Sequence, residues 1–337
     1  MIIIGEAGVN HNGDIKLAKK LIDAASDAKV DYVKFQSFKA DKLVSPTARK
    51  ADYQLRNLKS NDDSQFNMLK NLELSENDHL ELISYCKSKN VSFFSTAFDS
   101  DGVFYLSTLN LDFFKVPSGE LTNFPYIRAI AKTGKPVILS TGMANLNEIE
   151  QTLNILVSNG TKKSDITVLH CNTEYPTPIN DVNLKAMLTI KKKFDISVGY
   201  SDHTLGIEVP IAAVALGAKI IEKHFTLDRN LIGPDHKASL EPDELKEMVK
   251  SIRNIEKVIS GNGVKKPSLS EIKNIKIARK SIHSSRKLKS GSIIEERDLI
   301  SLRPGDGICP MNWNKVIGMK VKRDIEKFSK ISWKDLI

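Results

Sequence analysis

The chain has 337 residues, with 50 Lys and Arg against 41 Asp and Glu, for a formal net charge of +9. With 41% hydrophobic and 27% charged residues it has an ordinary globular composition, which excludes a disordered, fibrous or coiled-coil chain. No apolar run approaches the roughly 18–20 residues that cross a bilayer. The opening MIIIGEAGVNHNG lacks a basic leader and a cleavage site, so no secretory signal is expected there. Three scattered cysteines (Cys86, Cys171, Cys309) argue against a disulfide framework or zinc knuckle and for a reducing, cytoplasmic setting.

Short apolar runs recur through the first 225 residues: 2–6, 31–36, 91–96, 112–118, 136–141, 166–171, 196–202 and 219–225. Between them lie helical patterns such as IKLAKKLIDAASDA (15–28) and NDHLELISYCKSK (77–89), apolar at three- and four-residue spacing. Strand–helix repetition of this kind means parallel strands joined by helical crossovers. Eight repeats predict an α/β fold closed as a (β/α)₈ TIM barrel. No glycine-rich phosphate fingerprint follows the first strand, which argues against a nucleotide-binding sheet.

The basic excess is local. Residues 1–260 carry 32 basic and 33 acidic side chains, residues 261–337 carry 18 and 8. The two parts meet at GNGVKKPSLSE (261–271), which has the composition of a linker. The basic part has only Trp313, Phe328 and Trp333 as aromatics and is interspersed with acids, a poor pattern for stacking on nucleic acid. An acidic small substrate, or a plain solvated surface, suits it better, and neither nucleic acid nor membrane is expected as a partner.

Each strand turns polar at its end, where barrels do chemistry. In order the ends carry Glu6; Lys34 and Gln36; Ser95 and Thr96; Lys115, Ser118 and Glu120. There follow Ser140 and Thr141; His170, Asn172 and Thr173; Ser201, Asp202 and His203; and Glu222 and His224. The lysines and hydroxyls suit phosphate and carboxylate oxygens. His203 and His224 together could hold one divalent ion, with the open coordination of Lewis-acid Mn²⁺ or Mg²⁺ rather than a closed zinc site. Glu6, Glu120 and Glu222 offer carboxylates for proton transfer or for ordering metal-bound water. Strand alternation puts Glu222 and His224 on one side and Lys223 on the other. These residues alone describe a site for an acidic, phosphorylated small molecule beside a metal. They leave carbon–carbon bond formation and phosphoester hydrolysis equally open.

The motifs EAGVNHNG (6–13), VKFQSF (33–38), FSTAFD (94–99), KVPSGE (115–120), LSTGM (139–143), LHCNTEYPTP (169–178), GYSDHT (199–204), IEKHFT (221–226) and GPDH (233–236) resemble the sialic acid synthase family. ARKSI (278–282) and LRPGDG (302–307) resemble the SAF (antifreeze-like) domain that follows the barrel in these enzymes. The resemblance implies a barrel over 1–262, a linker over 263–278 and a SAF domain over 279–337. It implies condensation of phosphoenolpyruvate with an N-acylated mannosamine-type sugar, with Mn²⁺ or Mg²⁺ and in a homodimer whose SAF domains are swapped. Carried over by motif, Lys34, Thr96, Lys115, Ser118, Ser140, Thr173 and Ser201 would hold phosphoenolpyruvate, and His203 and His224 the metal, with Glu222 behind them. Glu6, Gln36, Tyr175 and Asp235 would orient the sugar, Glu120 would assist the attacking water, and Arg303 would meet the N-acyl group. Both lysines are expected to act electrostatically, because an enol needs no Schiff base.

The expected reaction is formation of N-acetylneuraminate from N-acetylmannosamine. The alternatives are N,N'-diacetyllegionaminate synthesis from 2,4-diacetamido-2,4,6-trideoxymannose and a catalytically inactive sugar-binding protein. Glu174, in NTEYPTP, fits the sialic and legionaminic branches better than the pseudaminic one.

Overall fold

The protein is described as a computed structural model covering residues 1–58 and 61–337. It divides into two compact units, Met1–Ser260 and Gly261–Ile337.

In the first unit eight parallel strands form one curled sheet: β1 (Ile2–Gly8), β2 (Tyr32–Ser37), β3 (Ser92–Ala97), β4 (Phe114–Val116), β5 (Val137–Ser140), β6 (Ile166–Cys171), β7 (Ser197–Asp202) and β8 (Ile220–His224). Their hydrogen-bonded order is β3-β2-β1-β8-β7-β6-β5-β4. The runs are rich in isoleucine, valine and phenylalanine, the β-branched and aromatic residues that strands favour, and consecutive apolar residues such as Ile2–Ile4 and Ile220–Ile221 suit a parallel sheet covered on both faces. Helices between the strands are fixed by local chemistry. Asp14 accepts from the Lys16 amide to open Ile15–Ala28, and Ser75 with Asp78 makes a capping box for Glu76–Ser88, satisfying amides that a helix end leaves free. One apolar core of strand and helix side chains fills the space between the two layers.

The two ends of the order, β3 and β4, lie against each other, yet among the described residues no ladder joins them. The expected fourth strand, 112–118, is cut to three residues. Pro117 has no amide to donate, and the chain turns into a short 3₁₀ segment at Ser118–Glu120. The seam is bridged instead by the buried Tyr126, whose hydroxyl lies 2.7 Å from the Ala97 carbonyl and 3.0 Å from that of Lys115.

Strand register sets the site. Glu6 pairs with Lys34 on one side and His224 on the other, Ser201 pairs with Glu222, and Gln36 with Thr96. These side chains therefore stand at neighbouring levels inside the barrel.

The second unit has its own core, centred on Ile282, Ile294, Val316, Val321 and Ile331, with β9 (Ser281–Ser284) antiparallel to β10 (Leu299–Leu302). Part of the stretch read as linker is helical, Leu269–Ala278. Its start is a capping box in which the Ser268 amide donates to Glu271 at 2.8 Å. That Ser-x-x-Glu signal sits inside a Pro- and Ser-rich run and is masked by it. Among the described residues no helix is long and apolar enough to cross a membrane.

Candidate active site

Fourteen of the expected residues line one cavity of about 230 Å³ at the C-terminal mouth of the barrel. At its floor two lysines interlock with two carboxylates. Lys34 Nζ lies 3.0 Å from Glu6 and 3.6 Å from Glu222, and Lys115 Nζ donates to both Glu222 oxygens at 2.9 and 3.1 Å. Ser201 donates to Glu222 at 3.1 Å, Gln36 to Glu6 at 3.0 Å, and Lys34 to Thr96 at 3.3 Å. All four charged groups are buried. Burial opposes the charge on Glu222, but Lys115 and Lys34 hold it far below the usual carboxylate range. Burial also opposes the charge on Lys34, and Glu222 with Glu6 more than restores it. Burial draws Lys115 down and pushes Glu6 up, with Glu222 adding to the latter. The floor is a charge-balanced electrostatic platform.

On the β4–β6 side Ser118 accepts from the Gly142 amide at 3.0 Å and shares a contact with the Cys171 thiol at 3.2 Å. Gly142 has no room for a side chain: a Cβ there would lie 2.5 Å from the Thr173 methyl and 2.9 Å from Ser118 Oγ. Ser140 Oγ is buried in this wall without a hydrogen-bond partner among the described residues. A buried polar atom left open in this way points to a ligand oxygen.

The two histidines face each other with ring centroids 5.2 Å apart, and Tyr175 packs on His203 at 4.1 Å. His203 Nδ1 donates to the Asn172 carbonyl; a carbonyl only accepts, so Nε2 carries the free lone pair. Among the described residues His224 Nδ1 is buried with no hydrogen-bond partner, 3.8 Å from Asp235. Burial keeps both rings neutral, His203 at about 4 and His224 well below its ordinary value. Burial, with Glu6 next, pushes Asp235 up to about 7. Among the described residues no three His, Cys, Asp or Glu side chains form a ready ligand set. The pair of neutral imidazoles with an orphaned nitrogen therefore fits an open site for one divalent ion, completed by water or substrate oxygens.

Several strand-end groups read as rim face the helices instead. Lys223 and Asp202 form a fully buried ion pair at 2.5 Å behind the two histidines, as alternation requires for Lys223. Ser95 bonds Ser37, the Thr141 hydroxyl donates to Leu169, and His170 bonds Val182. Polarity at a strand end does not by itself choose a face; the pleat does. Glu120 lies outside the lining of this cavity. It accepts from Asn123 at 2.5 Å, and burial, then Asp99, raises it. Arg303 belongs to the second unit, exposed, with Nε donating to the Ala278 carbonyl at 3.0 Å.

The structure adds residues that the strand ends do not announce. Tyr53 stacks on Tyr175 at 5.0 Å. Gln54, Met68, Leu69 and Leu72 also line the cavity, from the excursion between β2 and the helix Glu76–Ser88. The length of that gap, far beyond the usual two to six residues of a βα loop, is the sequence signal for them. Arg56 pairs with Glu174 at 2.8 Å and Asn57 donates to the Pro234 carbonyl at 2.6 Å, tying the excursion to the β6 and β8 loops.

Residues 21–265 match the NeuB family and residues 279–337 the SAF domain. The N,N'-diacetyllegionaminic acid synthase of Campylobacter jejuni is 56% identical over 94% of both chains. The enzyme of that name from Legionella pneumophila is 46% identical over 99% of this chain and 94% of its own. The crystal structure of N-acetylneuraminic acid (sialic acid) synthetase from Leptospira borgpetersenii is 36% identical, with a TM-score of 0.70 over 81% of this chain and 90% of that one. The protein therefore belongs to the NeuB family, the sialic acid synthase family of nonulosonic acid synthases, and ends in a SAF domain.

Proposed function

We propose that the protein condenses phosphoenolpyruvate with 2,4-diacetamido-2,4,6-trideoxymannose and water to give N,N'-diacetyllegionaminate and phosphate. The observation that carries this reading is the 56% identity to a diacetyllegionaminic acid synthase across 94% of each chain, against 36% to a sialic acid synthetase. The expectation of N-acetylneuraminate synthesis gives way to it, on the same chemistry. The Arg56–Glu174 contact ties Glu174, which fits the sialic and legionaminic branches alike, to the excursion that lines the cavity.

In the proposed reaction Lys34, Lys115, Ser118, Ser140, Thr96, Thr173 and Ser201 take the phosphate and carboxylate of phosphoenolpyruvate. The anion meets two cations already in place, so little reorganisation is needed when charge shifts. A Mn²⁺ or Mg²⁺ ion held by His203 and His224 would supply Lewis acidity to the open-chain aldehyde oxygen. Gln36, Tyr175 and Asp235 orient the sugar so that C3 of the enol reaches C1. That bond leaves positive charge at C2, water adds there, and phosphate departs with its bridging oxygen as the C2–O bond breaks. Glu6, raised by burial and inside the cavity, receives the water's proton. This reassigns a step expected of Glu120. Arg303 is proposed to meet the N-acyl group of a sugar bound in a partner subunit. Arg303→Ala should then raise the KM of the sugar more than that of phosphoenolpyruvate.

The test is phosphate release from phosphoenolpyruvate with Mn²⁺, comparing the diacetamido-trideoxy sugar with N-acetylmannosamine, with the product mass measured. Higher kcat/KM for the first supports the reading; turnover of N-acetylmannosamine alone overturns it.

A further inference from the structure

The cavity is not polar all round. Val9, Met68, Leu69, Leu72 and Phe98 line one side of it, and they belong to a small apolar cluster separate from the barrel core. The rest of the lining is mostly charges, amides, hydroxyls and imidazoles, with Pro117, Cys171 and Pro234 scattered among them, so five contiguous apolar side chains specify a part of the ligand that has no hydrogen-bonding group.

The wall is built before any ligand arrives. The helix Gln65–Lys70, which carries Met68 and Leu69, is capped by Ser64, whose hydroxyl accepts from Asn67 at 3.2 Å. Its first amide donates to the Ala48 carbonyl at 3.0 Å. The Asn71 carbonyl that follows packs where a Cβ on Gly13 would lie 2.3 Å away, and Gly13 has φ +76. The β1 loop and the helix thus fit together only because position 13 is glycine.

We propose that this wall receives the C6 end of the sugar and makes the enzyme selective for 6-deoxy substrates. The inference rests on the synthase reading and goes beyond it by naming what distinguishes the sugar. A C6 methyl group buries apolar surface against Leu69 and Leu72. A C6 hydroxymethyl group there would leave water and find no acceptor. An apolar pocket discriminates against an added hydroxyl only moderately, by about 10- to 100-fold, and that is the size expected.

The experiment compares kcat/KM for two pairs of sugars that differ only at C6: 2,4-diacetamido-2,4,6-trideoxymannose against its 6-hydroxy counterpart, and N-acetyl-6-deoxymannosamine against N-acetylmannosamine. A 6-deoxy preference of about tenfold or more within whichever pair is turned over is expected, carried mainly by KM of the sugar. Equal values within a pair that is turned over overturn the inference and leave the synthase reading intact. No turnover of any of the four overturns both. Leu69→Gln and Leu72→Thr should each shrink the preference at least about threefold, with the KM of phosphoenolpyruvate unchanged, while Met68→Leu retains it. The Leu72→Thr variant stands in if Leu69→Gln does not fold. An unchanged ratio in a folded variant also overturns the proposal.

Discussion

Glu222→Gln isolates the electrostatic logic of the barrel floor. Gln keeps the shape and an acceptor for Ser201 at 3.1 Å, but removes the charge that faces Lys115 at 2.9 and 3.1 Å and Lys34 at 3.6 Å. Lys34 then keeps Glu6 at 3.0 Å, while Lys115 loses the carboxylate it binds. Breaking a buried pair by removing one partner costs about 3–5 kcal/mol, or on the order of 10 °C in melting temperature for a unit of this size. The same change makes room for an external anion, so phosphoenolpyruvate should raise the melting temperature of the variant by more than it raises that of the unaltered protein. Raising the pH toward 10 should narrow the ligand-free deficit, because folded Lys115 sheds a proton that the unfolded chain still holds. Thermal unfolding with and without phosphoenolpyruvate reads both effects. A ligand-free loss below about 2 °C, or a smaller ligand shift in the variant, refutes the account of the floor.

His203→Ala and His224→Ala should each abolish the rise in melting temperature produced by Mn²⁺, besides most turnover, whereas Glu120→Gln should keep that rise; retention of the shift in both His variants excludes the pair as ligands. Tyr126→Phe leaves the Ala97 and Lys115 carbonyls without the bridging hydroxyl and should cost about 1–3 kcal/mol in urea unfolding. Gly142→Ala, whose new methyl meets Thr173 and Ser118, should raise the KM of phosphoenolpyruvate at least about tenfold through displacement of Ser118. His11 is held neutral by burial, with His79 adding, at about 4 against 6.5. Its stabilising share is therefore whole above pH 6.5 and lost as pH falls toward 4, roughly 3 kcal/mol in all. Unfolding free energies measured from pH 7 to 4 should fall less steeply for His11→Asn.

Much of the site is legible in the chain because period-2 alternation converts position into direction. Glu6, Lys34, Lys115, Glu222 and His224 lie inside the barrel where their strands end. The same rule, applied without knowing where each strand stops, admits Ser95, Thr141, His170 and Asp202, which a one-residue step turns toward the helices. The apolar wall is not legible from motifs at all. Met68 and Leu69 sit on the helix Gln65–Lys70 and Leu72 just beyond it, and only the tertiary path of the excursion brings them to the cavity. Glu120, a matched motif residue three positions after Pro117, accepts from Asn123 and lies outside the lining of the cavity.

A ring of hydrogen bonds has a fixed circumference, whereas a ribbon fastened at one point does not. Among the described residues the sheet is of the second kind, since β3 and β4 meet through the Tyr126 hydroxyl rather than a ladder. Thr96 and Lys115 stand on the two sides of that fastening. Small changes in the width of the lumen can therefore be taken up between these two residues without breaking any strand pairing. The remaining seven interfaces are hydrogen-bonded ladders, and His224 on β8 and His203, just past the end of β7, lie opposite the fastening in the strand order.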